Sequence, residues 1–393
     1  MTFMCFSPQA ILRPVPCAAV LWFTLFQMAV DGMSQADMLP EQVKAEAMVA
    51  FEAEDWELAH RRFAELLSLD GTDAELQMRY AATLLHDARL RNEGIQRLAS
   101  MANQGTLSPE GLYWWGRAWM LQGEPEEAEK SLRQALGLAG KKSKWKNSAQ
   151  LALDQCREMP VTFDMCQLLQ KLDAVDVPLA SFHRYVQWER EGVRLMLAPD
   201  EVQSKLDRKR GVSAPVTFWR GTGEVFYHSL GAKGETGLDI WLGQLDGDGE
   251  FSELSVLPAN VNSPYDDIHP VWDAATGCLY FASNRPGTVG GMDIFRSCRS
   301  GDTWSDPESL GPMFNSVLDE WAYYPGKGQT TSWLVTGRDA HYGGAEVWEF
   351  VPDGPPSAPI VLTTQWDISK DVVPGTLRLS DAETGQDLAT VAL

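Results

Sequence analysis

Asp266, Asp267 and His269 are the densest cluster of metal-capable side chains in the 393-residue chain. Carboxylates beside an imidazole are a donor set that a divalent cation accepts. One copy further along a repeat described below, Asp319 and Glu320 hold the matching place with no histidine after them. The acidic pair is therefore read as a turn-forming feature of the repeat, in preference to a metal centre. Asp239, Asp293 and Glu346 also recur at one repeat position and are read as hydrogen-bonding or salt-bridging groups within a sheet. Catalysis would need a nucleophile beside a base, a metal cluster, or a carboxylate pair in a pocket. His60, His86, His183, His228, His269 and His341 fall in no ligand or nucleophile motif, and Gly-x-Ser-x-Gly does not occur. No catalytic, cofactor-binding or metal residue is assigned, and no cofactor is implied.

Charge narrows the partners. Lys205, Arg208, Lys209 and Arg210 form a tight basic group, read as a solvated helix end, with contact to an acidic surface as the alternative. Against that, 33 Lys+Arg and 54 Asp+Glu leave a net charge of −21. Such a field repels phosphate backbones and excludes nucleic acid as the expected partner. No apolar run reaches the ~18 residues of a spanning helix, so no transmembrane span is expected.

The longest apolar run, residues 17–30, is broken only by Thr24 and Gln27, follows Arg13 and precedes Ser34-Gln35-Ala36. That pattern reads as a secretory signal peptide, residues 1–36, cleaved after Ala36, and it places the mature chain in the periplasm. Cys5 and Cys17 would leave with it. Cys156, Cys166, Cys278 and Cys298 remain, an even number with no zinc spacing, compatible with disulfides in an exported chain.

Residues 37–159 carry a helical repeat with a period near 34. Ala59, Phe63 and Leu66 return as Gly94, Leu98 and Met101, then as Ala128, Leu132 and Ala135. Twelve residues before each small residue stands another, Ala47, Ala82 and Gly116. A last amphipathic helix over about 145–159 would shield the end of the stack. These positions resemble the tetratricopeptide (TPR) repeat, which implies an α-solenoid with a concave groove for protein partners. Tyr113, Trp114, Trp115 and Trp119 are expected mostly in the core, with a minority facing that groove.

From Val212 to Val351 the texture is short β-rich runs broken by Gly, Asn and Asp. Gly237-Leu238-Asp239-Ile240-Trp241 returns as Gly291-Met292-Asp293-Ile294-Phe295 and as Gly344-Ala345-Glu346-Val347-Trp348, and Asn262-Ser263 returns as Asn315-Ser316. Small sheets of this kind bury both faces only by stacking. An antiparallel hairpin turning near Thr288 sets Phe281 opposite Phe295, an aromatic pair that stabilises sheets, and Cys278 opposite Cys298. The aligned positions are Glu224 and Gln244 before, and Thr331 and Val351 after, so neither copy has one cysteine without the other. A Cys278–Cys298 disulfide is expected, with two separate buried thiols as the alternative. His269-Pro270-Val271-Trp272 through Ser283-Asn284-Arg285 and Gly290-Gly291-Met292-Asp293-Ile294-Phe295 resemble the WD40-like repeat of the TolB type, which implies a β-propeller.

Residues 160–211 are read as a connector, a degenerate blade or the strand that closes the ring, with Phe182-His183-Arg184-Tyr185 and Arg194 through Pro199 as strand candidates. Fewer than four full units are present, so an incomplete ring and one finished by a partner both stay open. Residues 352–393 begin with a Pro-rich linker and continue as Gly375 through Leu388, which resembles the opening hairpin of a carboxypeptidase-regulatory-like β-sandwich. The fold class expected is thus a TPR-like α-solenoid, then WD40-like β-propeller repeats, then a partial β-sandwich. This order resembles envelope proteins of the OmpA family, some related to type IX secretion and gliding, although the C-terminal OmpA-like domain is missing. The resemblance implies a non-enzymatic scaffold, periplasmic and associated with the outer membrane, with protein partners and a possible peptidoglycan-associated complex. A propeller-associated hydrolase and a glycan-binding module are the alternatives.

Overall fold

The computed structural model describes residues 40–159, 170–186, 188, 193–197, 202–212, 215–219, 222–234, 237–246, 251–326, 331–351, 376–380 and 387–392. The expected signal peptide, Cys166, the linker 352–359 and the turn at Thr384-Gly385 lie outside them. An N-terminal helical half is followed by antiparallel sheets. Residues 1–355 and 356–393 divide as two compact units.

The helices are α1 (Pro40–Glu52), α2 (Trp56–Leu69), α3 (Ala74–Leu84), α4 (Arg91–Asn103), α5 (Pro109–Leu121), α6 (Pro125–Leu138) and α7 (Lys146–Glu158). Their starts are written locally. The side chains of Asp55, Asp73 and Ser108 accept first-turn N–H groups of α2, α3 and α5, and prolines open α5 and α6 where no donor is lost. Each helix packs on the next through the small residues of the repeat. A Cβ on Gly94 would stand 2.8 Å from the Ala81 carbonyl, and one on Gly116 2.7 Å from Leu132, while Ala47, Ala59, Ala82 and Ala128 are fully buried. Close approach here is possible only because these positions are small.

The first sheet runs β2-β3-β4-β5-β6, made of Val193–Leu197, Pro215–Trp219, Glu224–Ser229, Asp239–Leu245 and Phe251–Val256. The second runs β7 (Asp267–Asp273), β8 (Cys278–Ser283), β9 (Asp293–Ser300) and β10 (Thr303–Trp304), with β11 (Glu308–Ser309) also on β9. The third runs β12 (Glu320–Tyr324), β13 (Ser332–Thr336) and β14 (Gly344–Val351), and its fourth strand is β1 (Gln170–Pro178), drawn from before the first sheet. Phe226, Phe281, Leu334 and Phe350 belong to one hydrophobic core shared by all three sheets. No closed barrel forms among the described residues.

Residues 160–211 thus give β1 to the third sheet and β2 to the first, where Val193 pairs Trp219 and Leu197 pairs Pro215. The strand expected at Phe182 to Tyr185 is corrected: Leu179–Arg184 is a 3-10 helix. Phe182 is 1% exposed and meets His269 edge-on, and following Pro178 the tight helix delivers it into the shared core. In the second unit, β15 (Thr376–Ser380) and β16 (Asp387–Ala392) form an antiparallel hairpin.

Candidate functional site

The residues with the strongest chemical potential converge where one sheet meets the next, and each is already engaged. Asp266 Oδ1 accepts the Leu238 N–H at 2.8 Å, and Asp319 Oδ1 accepts the Met292 N–H at 2.8 Å. The carboxamide of Asn262 both accepts from Ile240 N–H (2.8 Å) and donates to the Ile240 carbonyl (3.0 Å). Asn315 does the same on Ile294, at 2.7 and 3.1 Å. Each asparagine therefore acts as a strand neighbour would, satisfying a backbone pair left at the start of β5 or β9.

The second acid of each pair turns back on its own loop. Asp267 accepts from the N–H and hydroxyl of Ser263 at 2.6 and 2.9 Å, and Glu320 from those of Ser316 at 2.8 and 2.7 Å. An arginine completes both sets. Arg285 donates to Asp267 and to the Val261 carbonyl, both at 2.6 Å, and Arg338 donates to Glu320 at 3.0 Å and to the Phe314 carbonyl at 2.6 Å. Their guanidinium planes lie over Phe281 and Phe295, and over Trp348, respectively. Asp293 accepts from Val289 and Gly290 N–H groups, and Glu346 from the Trp348 indole. The reading of the sequence quoted Arg285 within the repeat but gave it no role, and passed over Arg338, although their 53-residue separation repeats that of the acids they hold.

Burial governs the protonation of this lattice. It lifts the Asp266 carboxyl to about 6 and, with the nearby charges of Glu320 and Asp319, lifts Asp293 to about 8. Glu320 is also raised by burial, with Arg338 opposing. His228 Nδ1 accepts the N–H of His269, whose own Nδ1 lies 2.9 Å from the Trp321 carbonyl and, as the only group there able to donate, carries the proton. Burial holds His228 well below its usual value and His269 at about 4, so both rings are neutral near pH 7. His269 holds φ at +51°, a left-handed conformation uncommon for a non-glycine, at the irregularity where β7 shifts register against β8. The candidate cation site is thus occupied by main-chain and guanidinium donors. Among the described residues no His, Cys, Asp or Glu group is arranged to hold a metal.

Cys278 and Cys298 stand opposite each other on β8 and β9 with their Sγ atoms bonded, and Phe281 pairs Phe295 in the same ladder. Cys156 is a buried free thiol, raised to about 11 by burial. At the aligned position in the first sheet, Glu224 receives both guanidinium nitrogens of Arg299 at 2.6 and 2.9 Å. Burial alone would raise Glu224, but the Arg299 and Thr222 bonds outweigh it and hold the carboxyl low.

In the helical half, Tyr113 and Trp114 are buried. Phe51, Trp56 and His86 crowd around Trp114, with His86 stacked on Trp56 at 3.9 Å, while Trp115 and Trp119 are half-buried against each other. The loop after β13 then docks on α3 and α4. Tyr342 donates its hydroxyl to the Thr83 carbonyl at 3.1 Å, Arg91 donates to the Arg338 carbonyl at 2.8 Å, and Ala88 N–H to the Ala340 carbonyl at 3.1 Å. His341 sits between Asp87 (3.7 Å) and Asp176 (3.3 Å), and Gln155 of α7 donates to the Gly290 carbonyl. Val289 and Val317 pack on the helical core.

Lys205–Arg210 forms a short helix, α8, closed by a capping box of Ser204 and Asp207. Its basic side chains are exposed, while Asp207 is buried and accepts from the Ser229 hydroxyl and the Leu230 N–H. A second basic group, which the sequence reading passed over, lies between α6 and α7: Lys141, Lys142, Lys144 and Lys146, all exposed around a half-buried Trp145. No helix among the described residues is long and apolar enough to cross a membrane. No protein-family model matches the chain, and no curated protein matches it.

Proposed function

We propose that the chain is a non-enzymatic scaffold, a TPR-like solenoid fused to WD40-like propeller repeats of the TolB type, that holds protein partners in a cell-envelope or secretion assembly. The observation that carries this reading is the use made of the chemically capable residues. Asp266, Asp267, Asp319, Glu320, Arg285 and Arg338 spend their hydrogen-bonding capacity on fastening loops and neighbouring strands. A side chain fastened in this way is oriented by bonds it would have to break in order to turn to a substrate. The β1 strand, which pairs Gln170 with Val351 and Pro178 with Gly344, supports a propeller whose last blade is completed from the N-terminal side. A signal peptide at 1–36 would bring the chain to the periplasm beside the outer membrane.

Affinity purification of the tagged chain from its native envelope, followed by mass spectrometry, should return a reproducible set of envelope proteins. Steady turnover of generic peptidase or glycosidase substrates by purified protein would overturn the scaffold reading in favour of a hydrolase. Retention on insoluble peptidoglycan in the absence of protein partners would favour a glycan-binding module.

A further inference from the structure

Many arginines of the described residues are neutralised, among them Arg62, Arg79, Arg89, Arg285, Arg299 and Arg338, each of which meets a carboxylate. The turn between α6 and α7 departs from that rule. Lys141, Lys142, Lys144 and Lys146 fall within six residues, and Lys141, Lys142 and Lys146 make no ion pair among the described residues. Only Lys144 has a partner, Glu52 at 2.6 Å, and it remains 76% exposed.

The turn is held in place from beneath. Ser143 N–H donates to the Gly140 carbonyl at 3.2 Å, Lys146 N–H to the Ser143 carbonyl at 3.4 Å, and Trp145 lies parallel to Tyr113 with ring centres 6.1 Å apart. The backbone is thus braced while four ammonium groups project outward. In a chain of net charge −21 they form a local positive pole, and at ordinary ionic strength only charges within about 8–10 Å of a surface are felt by it.

We infer that this lysine turn is a docking surface for an anionic phospholipid bilayer. Two features favour a membrane over an acidic protein segment. All four cations are lysines, which act as point charges on flexible stems and suit a diffuse charged plane. Arginine would be the choice for bidentate recognition of a particular carboxylate. The lysines also stand on an exposed turn, whereas a peptide needs a recess to lie in. Attraction of this kind is weak alone, sensitive to salt, and additive with any partner held elsewhere on the chain. It does not depend on the scaffold reading.

The test is co-sedimentation of the purified chain with vesicles of phosphatidylcholine containing about one third phosphatidylglycerol, against pure phosphatidylcholine vesicles. Binding is expected to the anionic vesicles at about 0.05 M salt and to disappear by about 0.5 M. The joint variant Lys141→Gln, Lys142→Gln, Lys144→Gln and Lys146→Gln should bind at least about tenfold more weakly. All four side chains are exposed, and an unchanged circular dichroism spectrum shows that the variant folds. The matched variant Lys205→Gln, Arg208→Gln, Lys209→Gln and Arg210→Gln removes the same charge from α8 and should bind within about twofold of the parent. Equal losses in both variants would assign the effect to net charge and overturn the inference. So would capture by immobilised polyglutamate with no binding to vesicles.

Discussion

The helical half and the sheet half solve the same problem, how to stack repeats, with opposite materials. Between helices the contact is apolar and set by volume: Gly94, Gly116 and the buried alanines admit a neighbour that any larger side chain would push away. Between sheets an apolar core is shared, and to it is added a polar contact set by hydrogen bonding. Asp266, Asp319, Asn262 and Asn315 bind main-chain groups of the preceding sheet, while buried Asp267 and Glu320 fasten their own loops and are each braced by an arginine. Helices satisfy their own backbone and need only shape from a neighbour. The ends of strands leave N–H and C=O groups that something outside the ladder must satisfy. The two halves should accordingly fail for different reasons.

The largest effect is expected at the buried pair of the third sheet. Arg338→Ala leaves fully buried Glu320 without its counter-ion, so that it must keep an uncompensated charge or take up a proton, and removal of one partner of such a pair costs about 3–5 kcal/mol. Chemical denaturation followed by the tryptophans of the sheet half should register this. A loss no greater than that of a surface substitution would show that the lattice does not hold the sheets.

Next is the disulfide. Cys278→Ser with Cys298→Ser, or reduction of the parent, should lower stability by roughly 3 kcal/mol for a loop of this size in the chain-entropy model. Non-reducing peptide mapping of protein exported to an oxidising compartment checks the bond itself. Alkylation of both cysteines without prior reduction would contradict it. Ala59→Trp comes third. Ala59 is 0% exposed between α2 and its neighbours, and overpacking costs about 1–3 kcal/mol. The helical signal should melt earlier, while reduction, which weakens the sheet half, should leave that signal unmoved.

The smallest effect sharpens the comparison through pH. Asp293 has a raised carboxyl in the folded chain, so its contribution is fully present below about 4 and is lost as pH rises through about 8. Neutral, buried His228 and His269 act in the other direction: their contribution is present above about 6.5 and is lost as pH falls below it, toward about 4 for His269. Asp293→Asn should flatten the alkaline limb of stability against pH and leave the acid limb in place. An unchanged alkaline limb would remove Asp293 from the explanation.

Local features were legible before any coordinates. The helical hairpins follow from small residues at a period near 34, and the Cys278–Cys298 register follows from counting outward from a turn, because both depend on neighbours a few tens of residues apart. The acidic pairs were recognised as repeat features, but their partners were not. Nothing in the spacing of Asp266 says that its acceptor serves Leu238 of the preceding sheet, 28 residues upstream. Phe182 stands in a segment that the sequence offers as a strand candidate, whereas burial against His269 and the shared core selects a 3-10 turn.

The sequence by itself determined that helices precede strands, the repeat periods, and the small residues at which helices meet, since periodic apolarity, caps and turn residues act over short range. Only the tertiary structure decided that β1 completes the third sheet, that Asp266 and Asp267 are spent on main-chain and guanidinium partners, and that the Tyr342 loop seats on α3 and α4. The physical reason is that an open strand edge or an unpaired donor accepts whichever complementary group the folded chain brings within reach. That choice is made by packing across residues more than a hundred positions apart, where sequence spacing carries no record of it.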